Sequence, residues 1–254
     1  MAEIEIKPVD ASPAAPDRLL LVSDNLPEPD LLILAALPNV TVVKVLYEKW
    51  NLAQLKQAVD AYAYGRKFAS VALFDHGESG ELCLLKSVSG GAIDLSDVDG
   101  GDEEAAMFFK HCGSLVAEGG RIDLLACSVA SGKEGLAFVK WLADISGVEV
   151  AASVDKTGAG AGAEGGFDFM LEKGKVAAGS VYFYVEELRE WRHTADLDDA
   201  AAILAFCFCF VVLLDALSGA NGGARHRRRR HRRRRRRHHL PRLLRPRRRR
   251  RRHH

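Results

Sequence analysis

A histidine and a cysteine each follow an apolar run and precede small residues. "VALFDHGESG" at 71–80 places His76 and Gly77 behind such a run, and "RIDLLACSVASG" at 121–132 does the same for Cys127. A cysteine thiolate attacks carbonyl carbons, and a nearby imidazole generates the thiolate or protonates the leaving amine. The two motifs therefore predict nucleophilic catalysis, provided that the apolar runs bring their ends together.

The backbone beside these residues offers further groups that this chemistry needs. Gly77 lets the chain approach a ligand closely, and the N–H groups of Gly77 and Cys127 are predicted to stabilise an oxyanion. A helix beginning near Lys133 is predicted to lower the pKa of the thiol. The ordinary alternatives are a cysteine that is a small buried hydrophobe and a histidine in a loop. Asp75 is predicted either to orient His76 or to be solvated.

The elements that must position the pair alternate between strands and helices. Strands are predicted over 18–24, 40–46, 69–74, 121–126, 149–154, 167–172 and 180–185, helices over 31–38, 51–65, 102–120 and 133–147, a hairpin at 81–86 and near Ile93, and a glycine-rich loop over 157–166. Apolar strands between amphipathic helices indicate an α/β fold whose mostly parallel sheet is covered by helices on both faces.

In such sheets ligands lie beyond the carboxyl ends of the strands, and neighbouring strands are about 4.8 Å apart. We therefore expect His76 and Cys127 to flank one substrate bond. Asp155 follows the 149–154 strand and is predicted to face the same cleft, where it favours a lysine or arginine side chain of the substrate. The alternative for Asp155 is a loop or capping aspartate.

Four segments are predicted along the chain. They are a flexible N-terminus (1–17), the α/β domain (18–186), a linker with an apolar segment (187–224) and an Arg/His-rich disordered tail (225–254). Of the 36 basic residues, 19 are arginines of the tail, so 17 remain against 34 acidic residues and the net charge before residue 225 is −17. A body this acidic argues against nucleic-acid binding through its folded surface.

The cysteine count and the N-terminus bear on compartment and cofactors. Five cysteines without a regular framework argue against a disulfide scaffold, and no His/Cys cluster has zinc-ligand spacing. We therefore expect no metal and no organic cofactor. The first residues carry no apolar signal segment, so a cytoplasmic location is the default expectation.

The end of the chain suggests a different kind of role. Residues 200–214 are fifteen uninterrupted apolar residues, fewer than the roughly 17 that a membrane span requires. A tail anchor is one interpretation of this run. The arginine tail predicts contact with anionic lipid or nucleic acid, or with the acidic body, and its composition also suits translation of a GC-rich repeat.

The motifs resemble the clan CD cysteine peptidases, which include caspases, gingipains, separases and CHAT domains. The separation of 51 residues between His76 and Cys127 agrees with the roughly 50 of caspase-type enzymes. A narrower resemblance is to the domain-of-unknown-function family 4347. It is carried by "HGESGELCL" at 76–84, "IDLLACSVASGKEGLAFVKWLADISGVEVAASVDKTG" at 122–158 and "GGFDFMLE" at 165–172.

This resemblance implies a three-layer caspase-like sandwich with His76 and Cys127 as the dyad and a polypeptide substrate of unknown sequence. The family usually has Gly or a larger residue before its cysteine and Asn after it, whereas Ala126 and Ser128 stand here. Three hypotheses follow. They are a cysteine peptidase, a non-catalytic binding or processing module of the same fold, and a protein whose role lies in a tail bound to membrane or nucleic acid.

Overall fold

The computed structural model describes residues 15–88, 92–94, 103–162 and 166–196. The predicted apolar run at 200–214 and the arginine tail lie outside these residues. Within the described ranges, no helix has both the length and the apolarity that crossing a membrane requires.

A five-stranded parallel sheet forms the centre of the molecule, which confirms the α/β class and the parallel arrangement. The strands run in the order β2-β1-β3-β7-β8. Their bounds are β1 Arg18–Ser23, β2 Val40–Val45, β3 Phe68–Phe74, β7 Val116–Leu125 and β8 Glu149–Ala152. Buried parallel strands are apolar on both faces, which is why these runs do not alternate.

The described helices cover both faces of this sheet. They are α1 Pro29–Leu34, α2 Leu52–Ala63, α3 Glu103–Leu115, α4 Gly132–Ser146, α5 Ala178–Tyr182 and α6 Val185–Leu188. Leu19 of β1 belongs to one apolar cluster, together with buried side chains of α2, α3 and α4. Its neighbour Leu20 belongs to the other, with α1, α5 and α6. Successive side chains of one strand thus point into two different apolar cores, which lie on opposite faces of the sheet.

Short strands complete the description. They are β4 Gly77–Glu78, β5 Glu81–Cys83, β6 Ala92–Asp94, β9 Gly158–Ala159, β10 Phe167–Asp168, β11 Met170–Leu171 and β12 Val176–Ala177. β4, β5 and β6 form the small antiparallel sheet that was predicted as a hairpin. β9 pairs with β10, so part of the predicted glycine-rich loop is a strand.

The helix predicted over 102–120 ends earlier, because its last five residues belong to β7. Val116 pairs with Phe68, and the register then shifts so that Arg121 pairs with Ser70. Gly120 allows this irregularity, since a Cβ there would lie 2.6 Å from a backbone oxygen of β3. Sheet pairing has overridden the helical propensity of this segment.

The prediction of a strand over 180–185 is wrong, because this segment contains the end of α5 and the start of α6. Its alternating aromatic pattern resembles a strand, but Tyr182 and Phe183 are adjacent and both fully buried. A single antiparallel bridge from Phe183 to Ala36 is the only strand-like pairing there among the described residues. The aromatic side chains fill the second apolar cluster from a helix and a turn.

Tyr182 also closes a buried polar network near the amino ends of the strands. Its hydroxyl donates to Asp123 Oδ2 at 2.6 Å and contacts Ser70 Oγ at 2.5 Å. Arg121 Nε donates to Asp123 Oδ1 at 2.7 Å, and Arg18 Nη1 donates to Ser70 Oγ at 2.7 Å. Burial raises the pKa of both Asp123 and Tyr182, and their shared hydrogen bond satisfies both groups without water.

We expect Tyr182→Phe to lower the free energy of unfolding by about 1–3 kcal/mol, because it removes the donor to the buried Asp123 Oδ2, while Oδ1 keeps its bond from Arg121. Urea unfolding followed by tryptophan fluorescence measures this change. Tyr184→Phe is the matched control, since Tyr184 is about half-exposed, and it is expected to have little effect. Equal stabilities of the two variants would contradict the role given to this network.

Candidate active site

The carboxyl ends of β3 and β7 meet at one edge of the sheet. Phe74 pairs with Leu125 in the parallel register, and each is the last residue of its strand. His76 lies two residues after Phe74, and Cys127 lies two residues after Leu125. The two residues therefore occupy equivalent positions after neighbouring strands. The structure therefore brings the two predicted site residues to the same edge, as the sequence analysis expects.

Contacts from the neighbouring β1 and from the preceding residue orient the imidazole. His76 is fully buried, and its Nε2 lies 3.3 Å from the backbone oxygen of Asn25, which follows the end of β1. The backbone N–H of His76 donates to Asp75 Oδ1 at 2.8 Å. A carbonyl at one ring nitrogen favours a proton on that nitrogen and leaves the other nitrogen as the basic one.

Asp75 is buried rather than solvated, and its predicted role in orienting the His76 imidazole stays a prediction. Burial raises the pKa of Asp75 to about 8, although hydrogen bonds from Ser23, the His76 N–H and Asn25 oppose the shift. The carboxyl thus joins the ends of β1 and β3. Its hydrogen bonds with Ser23 and Asn25 stabilise the loop after β1, which contains the Asn25 carbonyl that faces the His76 imidazole.

This raised pKa predicts how stability depends on pH. The folded state keeps the Asp75 proton up to a pH of about 8, whereas an unfolded aspartate loses it near 4. The stability due to the protonated carboxyl is therefore fully present below about pH 4, and it is lost as the pH rises through about 8. We expect Asp75→Asn to flatten the decline of unfolding free energy between these values.

Urea titrations from pH 4 to pH 9 measure this slope, and the difference between wild type and variant isolates the Asp75 carboxyl. Asp144→Asn is the control, since Asp144 is exposed on α4. A decline of the same steepness in Asp75→Asn and wild type would show that Asp75 does not carry the effect.

Cys127 lies in a contact network built from backbone groups. The N–H of Thr157 lies 3.2 Å from its Sγ, and the Thr157 carbonyl oxygen lies 3.7 Å away. The thiol is 2 % exposed, and burial raises its pKa to about 11. Hydrogen bonds from the backbone of Thr157 and Ala195 oppose this shift, and Asp196 adds to it. Desolvation therefore dominates the pKa of this thiol, and the lowering predicted from the following helix stays a prediction.

The chain turns sharply directly after the cysteine. Ser128 has a left-handed backbone, with φ of 57°, and its N–H donates to the Asp155 carbonyl at 2.6 Å. A serine adopts this conformation less readily than glycine or asparagine, so the turn is constrained at this residue. The turn directs the chain into α4 and leaves Cys127 at the strand end.

Asp155 is exposed, and its side chain belongs to a group of three acidic residues. Ligand oxygens of Asp155, Asp168 and Glu172 lie within 4.8 Å of one another, a set that suits a hard cation by its donor type. Glu172 Oε2 already accepts from the Val154 N–H at 2.9 Å. No ion is assigned to this group, and the predicted preference of Asp155 for a basic substrate residue stays a prediction.

Residues at the start of the predicted linker (187–224) cover this edge of the sheet. We call residues 191–196 the covering segment. Ala195 accepts a hydrogen bond from the Gly77 N–H at 3.3 Å and donates to the Thr157 carbonyl at 2.9 Å. Trp191 is fully buried against Phe74, with ring centroids 5.4 Å apart. Gly77, the predicted oxyanion donor, therefore already faces a carbonyl oxygen.

Fold and site together define an α/β domain that carries a thiol and an imidazole at the carboxyl edge of a parallel sheet. The family model described as "Domain of unknown function (DUF4347)" matches residues 19–195. The chain belongs to this family. Neither the search of curated proteins nor the search of solved structures found a match.

Proposed function

We propose that the domain is a clan CD-type cysteine peptidase with a caspase-like three-layer arrangement, in which Cys127 is the nucleophile and His76 the general acid/base. The observation that carries the proposal is the β3–β7 register, which gives the two residues equivalent positions past Phe74 and Leu125. The two apolar clusters on opposite faces of the sheet support the layered arrangement.

The proposed reaction begins with transfer of the Cys127 proton to the imidazole of His76. The thiolate then attacks the scissile carbonyl carbon, and the negative oxygen accepts hydrogen bonds from the N–H groups of Gly77 and Cys127. The imidazolium returns the proton to the leaving amine, which departs with a free N-terminus. A water molecule, deprotonated by His76, hydrolyses the resulting thioester and restores the thiol.

The Asn25 carbonyl acts as a positioning group in this scheme. At 3.3 Å from Nε2 it stabilises the ring orientation and the protonated imidazolium. Asp75 supports the same loop through its buried carboxyl. Neither group contacts the reacting atoms, so both act through His76.

A second candidate function is favoured by the closed state of the site. A thiol that is 2 % exposed and has a pKa of about 11 is protonated at neutral pH. A module of the same fold that binds a polypeptide without cleaving it would have no need of a reactive thiol. This candidate predicts peptide binding without turnover.

A peptide-library cleavage screen separates the two candidates. The peptidase proposal predicts products that are absent with Cys127→Ala and present with Cys112→Ala, because Cys112 is buried in α3 away from the sheet edge. Products that persist in Cys127→Ala would contradict it. Peptides retained equally by wild type and Cys127→Ala, without any product, would favour the binding module.

A further inference from the structure

We propose that the covering segment is a built-in competitor of substrate, which occupies the Cys127–His76 edge as an added strand and must leave before another polypeptide binds. This inference rests on the proposed function, because it identifies the ligand of that site as an extended polypeptide. It also explains why both site residues are buried in this conformation.

The segment binds through backbone hydrogen bonds in the manner of an added strand. The Ala159 N–H donates to the His193 carbonyl at 2.7 Å, and the Ala195 N–H donates to the Thr157 carbonyl at 2.9 Å. Between these contacts, Thr194 forms an antiparallel bridge with Gly158. Such pairing recognises the extended backbone of a ligand and leaves selectivity to its side chains.

The position of Ala195 corresponds to that of a substrate residue. Its carbonyl oxygen accepts the Gly77 N–H, the group assigned to the oxyanion, and its own N–H donates to the carbonyl of Thr157, whose N–H contacts the Cys127 thiol. Its methyl group is fully buried in the second apolar cluster, beside Trp191. The site therefore accepts an extended polypeptide with a small side chain at this position.

Contacts of charged and aromatic side chains hold the two ends of the segment. At one end Asp196 forms an ion pair with Lys156, and the aspartate side chain is 13 % exposed whereas the lysine is 58 % exposed. At the other end Trp191 Nε1 donates to the Pro27 carbonyl at 2.7 Å. The Lys156 pair is the contact that substitution can reverse without changing the apolar core.

The test measures how fast iodoacetamide modifies Cys127 at pH 8, by mass spectrometry of its peptide, with Cys112 of the same chain as the reference thiol. We expect Lys156→Asp and Asp196→Lys each to raise the Cys127-to-Cys112 rate ratio about tenfold, because a lost ion pair is replaced by repulsion. The double variant with both changes should restore the ratio to within about twofold of wild type.

A second variant covers the case in which charge reversal impairs folding. Ala195→Leu keeps every charge but places a larger side chain in a filled core, so it should also raise the ratio. The comparison uses the variants whose urea unfolding curve remains cooperative. Unchanged ratios in these chains, or single variants that the double variant does not restore, would overturn the proposal.

A peptide added in trans tests the identity of the ligand. The probe has the sequence of residues 191–197, WRHTADL, and the protein is full-length Asp196→Lys, whose Lys156 is intact. The peptide should slow alkylation of Cys127, and a version with Lys in place of its Asp should not. Equal effects of the two peptides would contradict recognition through Lys156.

These experiments record access to the thiol and not hydrolysis. If the rate ratios change as expected and no opened variant cleaves peptides, the peptidase proposal fails and the competitor proposal stands. If cleavage occurs but the ratios do not respond, the competitor proposal fails alone.

Discussion

Trp191→Ala is expected to lower the free energy of unfolding by about 3–5 kcal/mol, the usual cost of removing a fully buried large aromatic side chain. Trp191 has no exposed surface, and its ring packs edge-on against Phe74 and Phe169 at centroid distances of 5.4 and 6.1 Å. Its indole N–H is bound to the Pro27 carbonyl. The substitution therefore removes apolar burial and one buried hydrogen bond at the edge that carries the site.

Urea unfolding measures this loss of unfolding free energy, and two further variants serve as comparisons. Leu34→Ala changes a side chain that is 78 % exposed and is expected to cost less than about 0.5 kcal/mol. Trp191→Phe keeps an aromatic ring, although a smaller one, and removes the N–H donor, so its cost should fall between those of Leu34→Ala and Trp191→Ala. A cost below about 1 kcal/mol for Trp191→Ala would show that the covering segment contributes little to the core, contrary to the structure.

The second large effect concerns catalysis. In the opened Lys156→Asp chain, Cys127→Ala should reduce kcat/KM for a cleaved peptide by a factor on the order of 10⁴ or more, because no other described group replaces the nucleophile. His76→Ala should reduce it by about 10²–10⁴-fold, the range of a lost general acid/base. Both residues act in one step, so the double variant should be no worse than Cys127→Ala alone.

The pH dependence gives this prediction an independent readout. His76→Ala should shift the alkaline rise of Cys127 alkylation to higher pH, since the thiol loses the imidazole that takes its proton. Cys112→Ala is the control for the loss of a buried thiol and should leave hydrolysis unchanged. Strictly multiplicative losses from the Cys127 and His76 substitutions would contradict a shared catalytic step.

Much of the fold is predictable from the sequence because the central strands are buried on both faces. Runs such as 19–22 and 71–74 are continuously apolar, and a parallel sheet between two helical layers gives such strands their surroundings. The helix predicted over 51–65 is confirmed as α2, whose N-cap Asn51 forms a capping box with Gln54, a local interaction. His76 and Cys127 could be assigned to one edge because parallel strands all end on the same side.

The covering segment could not be predicted in this way. "EWRHTAD" has neither a helical nor a strand period, and its main contacts are backbone hydrogen bonds that any sequence offers. The same holds for Thr157, whose N–H rather than its side chain contacts the thiol. The raised pKa of Cys127 follows from this burial, which the position of the following helix does not reveal.

The errors in the elements have a related origin. Ala117 and Glu118 favour a longer helix, whereas the helix ends at Leu115 because Val116 on one side of them and Arg121 on the other pair with β3. Tyr182 and its neighbours alternate like a strand, yet a short helix lets the hydroxyl reach Asp123. In both places a contact between residues distant in sequence outweighs local propensity.

The claim that Cys127 attacks a carbonyl-like centre with the help of His76 is tested most directly by a peptidyl acyloxymethyl ketone with a small residue next to the reactive group. In the Lys156→Asp chain the probe should form a thioether on Cys127, and His76→Ala in that background should slow its formation about 10²-fold or more. Equal labelling rates with and without His76, or labelling of Cys83 and Cys112 in place of Cys127, would contradict the account.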